Sequence, residues 1–165
     1  MQQELANLID ILQEQRDIQS SLVALSERKI AVIAAGDVDT LSAITEQEQQ
    51  AVSCIAAVER KQTACVENLA RLMNRPVAEL RLAAVIEHAH GQQKQILSKL
   101  REELTALVEK QVQYNDMNRK LLEMNMDYIQ FILNRTTREA AAPTYGSAGD
   151  MQRLPQRTRL LDRKV

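Results

Sequence analysis

Apolar residues recur along this chain at steps of three and four, the signature of helices that bury one face. The first such stretch runs from about Gln2 to Ala35, with Leu5, Leu8, Leu12, Leu22, Leu25 and Ile33 on one broad stripe. Gly36 then supplies a left-handed stop, and Asp37 or Asp39 the next N-cap. The second stretch, about Val38 to Met73, is the most regular: Leu41, Ile44, Glu48, Ala51, Ile55, Val58, Gln62, Cys65, Leu69 and Leu72 form a heptad seam. Its two polar insertions, Glu48 and Gln62, are of the kind that fix register at some cost in stability.

Asn74-Arg75-Pro76 ends this helix, because proline cannot continue it and disfavours helical geometry in the residue before. A short helix is expected from Val77 to His90, with Leu80, Ala83, Ala84 and Ile86 inward. From Gly91 a last helix continues without Gly or Pro to about Arg138, along a seam of Leu97, Leu100, Leu104, Leu107, Gln111, Tyr114, Asn118, Leu121, Asn125, Tyr128 and Ile132. After Arg138 the sequence turns to Ala-Ala-Ala-Pro-Thr-Tyr-Gly-Ser-Ala-Gly and then a basic stretch, a composition that reads as a flexible tail. The expectation is an all-α fold: an elongated antiparallel bundle of three long helices and one short one over residues 1–138, followed by the tail 139–165.

At the standard helical rise the first two helices span about 50 Å each and the last about 70 Å, so one of its ends is expected to overhang. The C-terminal end is the better candidate. From Leu121 to Leu133 it is apolar almost all round, with Leu121, Leu122, Met124, Met126, Tyr128, Ile129, Phe131, Ile132 and Leu133, whereas a surface helix needs one apolar stripe. Three of the six Met and the single Phe lie between Met117 and Phe131, and flexible thioethers suit a surface that repacks around a partner. A locally thick core or a homodimer seam fits the same surplus.

Composition narrows the function. Aromatics are 2% of the chain and Trp is absent, while four Gly and three Pro are too few for a many-stranded fold or a phosphate-cradling loop. The net charge of −1 offers no nucleic-acid or anionic-membrane surface on the helical body, although five Arg/Lys against three Asp/Glu follow Arg138. The N-terminal segment lacks the basic and apolar regions of a secretory signal, and no run is long enough for membrane insertion, so the expected compartment is cytoplasmic. Cys54 and Cys65 are about 16 Å apart along one helix, too far to pair there. His88 and His90 point to nearly opposite sides of a helix and match no zinc spacing with the cysteines. Without a nucleophile motif either, the chain is read as a protein-binding protein that is not an enzyme and needs no cofactor or metal.

Two segments carry a family resemblance. Asn115-Asp116-Met117-Asn118-Arg119-Lys120-Leu121-Leu122 is similar to an Asn-x-x-Asn-Gly-x-Leu-Leu signature in the last long helix of the FlgN family of flagellar type III export chaperones, with Arg119 where the family commonly has Gly. Pro143-Thr144-Tyr145-Gly146-Ser147-Ala148-Gly149 resembles that family's post-helical Tyr-Gly-x-x-Gly motif. Their order, after helices broken by a Gly36-Asp37 turn, makes the similarity in layout cover essentially the whole chain. The resemblance implies a chaperone for the hook-filament junction proteins FlgK and FlgL, with Asn118, Leu121, Leu122, Met126, Ile129 and Leu133 as the candidate client-binding residues. It also implies docking of Tyr145, Gly146 and Gly149 on the cytoplasmic domain of the export gate, FlhA. The competing readings are a filament-cap or other small helical secretion chaperone, and a structural coiled coil that dimerises through the second helix.

Overall fold

The computed structural model describes residues 1–140; the side chains of Glu79 and of residues 138–140, and everything from residue 141 on, lie outside that description. Four α-helices follow one another, α1 (Gln2–Ala35), α2 (Val38–Met73), α3 (Leu82–His88) and α4 (Gly91–Ala140), with a 3-10 turn at Val77–Glu79. No strand occurs among the described residues.

The α1–α2 turn follows from three residues. Gly36 takes φ +68°, and its N–H and that of Asp37 donate to Ile33 O (3.1 Å) and Val32 O (3.2 Å), which ties off the last carbonyls of α1. Asp37 is the N-cap of α2, accepting from Thr40 N at 3.0 Å and from Thr40 Oγ1 at 2.6 Å. Asp39 instead sits in the first turn, facing the positive end of the helix dipole. At the other end of α2 Asn74 is left-handed (φ 51°), a conformation asparagine tolerates better than other non-glycine residues, and Arg75 N donates to Ala70 O.

These bonds hold the Asp37 carboxyl below its ordinary value of 3.8, the Thr40 hydroxyl contributing most and the Thr40 N–H next. A depressed carboxylate contributes stability above its unfolded pKa that is lost as pH falls through the folded one. Asp37→Ala is therefore expected to lower the thermal midpoint at neutral pH, by an amount that shrinks as pH falls below about 4. Midpoints of both proteins measured across that range check this; a gap independent of pH would contradict it.

Successive long helices run antiparallel, so α1 and α4 are parallel. Their cross-links climb together: Gln93 Nε2 donates to Gln2 O, Arg16 pairs with Glu103 at 3.5 Å, and Asn125 Nδ2 donates to Ile33 O. The main core gathers where the N-termini of α1 and α4 meet the C-terminus of α2 and all of α3. It joins Leu5, Leu8, Ile9 and Leu12 to Cys65, Leu69 and Ala70, to Leu80, Val85, Ile86 and Ala89, and to Leu97 and Leu100. The α2 seam is occupied within the monomer, with Ile44, Val58, Cys65 and Leu69 buried. Dimerisation through that seam would need the bundle to open.

Two local expectations are corrected. Leu72 is exposed and Ala70 buried in its place, because a straight helix drifts about 20° per heptad from a seven-residue repeat. The segment after Pro76 is not one helix either, since Arg81 is extended (ψ 155°) between the 3-10 turn and α3. That break resets the helical phase, so Val85, Ile86 and Ala89 turn inward with Leu80, while Ala83 is exposed and Ala84 half-buried. Nor does α3 run into α4: Ala89 is extended and Gly91 takes φ +57°.

By packing, the chain divides into two units inside α4, the first Met1–Tyr128 and the second from Ile129 on.

Candidate functional site

The C-terminal half of α4 carries the residues of interest. On α4 Leu122 and Met126 lie four residues apart in one unit, and Ile129 and Leu133 lie four residues apart in the other. All four are exposed, by 39, 69, 57 and 60%. The first two belong to the first unit and the last two to the second. Met117 and Met124, seven residues apart in the first unit, are also exposed, and so is Phe131 in the second. Tyr128 and Ile132 are exposed as well, and none of the described residues from Leu122 to Thr137 is buried. Isolated exposed apolar residues are ordinary, but a run of large ones along a single helix marks an interaction surface.

Asn118 is placed differently from the other candidate residues. Only 5% exposed, it points at α1, where Nδ2 donates to Ser26 O at 2.8 Å. Leu121 is half-buried on the same seam. Around Asn118 lies a polar layer. Ser26, fully buried, accepts from Gln111 Nε2 at 2.6 Å; Gln111 also donates to Asn115 Oδ1 at 3.2 Å. Lys29 pairs with Glu48 at 2.6 Å across α1 and α2, both side chains largely shielded. Tyr114 OH donates to Glu27 Oε1 at 3.1 Å, and that carboxylate raises the phenol above its ordinary value. Gln111, Tyr114, Asn118 and Asn125 already fall on the predicted seam; Ser26, the α1 partner of Gln111 and Asn118, carries no signal beyond its helical step from Leu22. The Tyr145, Gly146 and Gly149 motif lies outside the described residues.

Burial raises the Cys65 thiol above its ordinary value, helped by the nearby Glu4 carboxylate, which disfavours the nucleophilic thiolate. Among the described residues no three His, Cys, Asp or Glu side chains converge as a metal site.

The model of the FlgN protein family matches residues 1–153. The chain belongs to the FlgN family. It is thus a flagellar export chaperone, and the match extends through both family-like segments, Asn115–Leu122 and Pro143–Gly149. Neither curated proteins nor solved structures yield a match. No described helix of this FlgN-family chain is long and apolar enough to cross a membrane.

Proposed function

We propose that this FlgN-family chaperone acts in the cytoplasm as a non-enzymatic carrier, holding FlgK and FlgL before export and delivering them to the gate protein FlhA. The observation that carries the reading is the exposure of large apolar side chains on α4, Met117, Leu122, Met124 and Met126 in the first unit and Ile129, Phe131 and Leu133 in the second. An amphipathic client helix lays its apolar face against such a surface and is kept from aggregating while it is covered. The thioethers let one surface fit two clients whose side chains differ. Asn118 is 5% exposed and donates to Ser26 O of α1.

Delivery calls for a second contact that survives while the client is bound. Tyr145, between Pro143 and the Gly146 and Gly149 positions, supplies an amphipathic ring beside glycines, which carry no Cβ to hinder a partner's approach. The test uses purified chaperone, FlgK and FlhA cytoplasmic domain. Tyr145→Ala is expected to retain FlgK with unchanged affinity and to bind FlhA at least about tenfold more weakly, as for loss of one aromatic anchor. Normal FlhA binding by the variant would leave the motif a linker, and failure of the wild-type chain to retain FlgK or FlgL would remove the client reading.

A further inference from the structure

The two halves of the first unit hold α4 by different means. Near its start α4 is fixed by Leu97 and Leu100, both buried in the apolar core. From Gln111 to Asn125 four of its five seam residues are polar, Gln111, Tyr114, Asn118 and Asn125, and the fifth, Leu121, is half-buried. Part of the hydrogen-bonding capacity there has no protein partner. Gln111 Oε1 and Asn118 Oδ1 are buried, and no described protein donor reaches either. The single Ser26 hydroxyl proton has two distant acceptors, Asn115 Oδ1 at 3.3 Å and Glu48 Oε1 at 3.5 Å. Buried polar atoms left in this condition penalise the closed state.

The two longest-reaching amides read backbone. Asn118 Nδ2 donates to Ser26 O and, seven residues on, Asn125 Nδ2 donates to Ile33 O, seven residues on along α1. Any helix presents carbonyls at that spacing, whatever its side chains. Moving such a bond from one helix to another conserves it, whereas separating an apolar seam forfeits burial.

We propose that the α1–α4 seam between Ser26 and Ile33 opens, and that Asn118 and Asn125 pass their hydrogen bonds from α1 to the backbone carbonyls of an amphipathic client helix, with Leu121 packing between them. This rests on the chaperone reading above and adds how the client is held: by its backbone, not only through the exposed apolar side chains. In this half α1 and α2 are joined to each other by the Lys29–Glu48 pair and the Gly36–Asp37 turn, contacts that do not involve α4.

Amide hydrogen exchange of the free full-length chain tests the opening without any client. Residues 111–125 are expected to exchange at least about tenfold faster than residues 97–107. Asn118→Leu, which makes the seam apolar at a heptad position, is expected to slow exchange over 111–125, raise the thermal midpoint, and weaken FlgK binding at least about tenfold. Equal protection of the two segments in the wild-type chain overturns the proposal. So does an Asn118→Leu variant that leaves exchange over 111–125 unchanged, or one that slows it yet binds FlgK as tightly as before. A wild-type chain that shows the exchange difference but binds no FlgK keeps the opening and overturns the client transfer, which separates this outcome from failure of the seam itself.

Discussion

Replacing Leu122, Met126 and Ile129 together with Asp is expected to abolish binding of FlgK and FlgL and to leave the helical circular-dichroism signal essentially intact. All three side chains are exposed, so their loss creates no cavity and buries no charge. An anchor in a partner interface contributes on the order of 2 kcal/mol, and three of them, even without full additivity, correspond to a loss of affinity of about a thousandfold or more. Unchanged affinity in the triple variant would remove these residues from the client surface. Loss of helical signal would assign the three residues to packing.

Leu97, on the same helix, should behave in the opposite way. It is fully buried among Leu5, Leu8, Leu69 and Val85 in the core that joins α4 to the other helices. Leu97→Ala removes most of a side chain where neighbours from three helices cannot all collapse inward, at a cost of about 2–5 kcal/mol. For a domain of this size that lowers the thermal midpoint by on the order of 10 °C, while FlgK affinity measured well below the transition is retained. A variant melting with the wild type would contradict the docking of α4 in that core.

The boundaries of α1 and α2 were legible because local chemistry fixes them. Gly36, Asp37 and Asn74 need no distant partner to end or start a helix. The segment after Pro76 was less legible, since Leu80, Val85, Ile86 and Ala89 are placed by the core they fill, and that packing extends Arg81. In the candidate site the apolar surplus of α4 was visible from composition alone. Which of its residues face outward was not: Asn118 shares the helical spacing of the proposed client-binding residues, yet its amide is spent on Ser26 O, a carbonyl that no side-chain pattern reveals. The polar seam was half legible, its α4 side in the heptad positions and its α1 side only once Ser26 is seen buried.

Calorimetric titration of purified FlgK and FlgL into the full-length chain tests the central claim most directly. A saturable complex with each, in the micromolar range or tighter (about −8 kcal/mol or stronger) and lost in the Leu122, Met126 and Ile129 triple variant, is the predicted result. No heat and no complex with either protein, from a chain whose helical signal is intact, would contradict it.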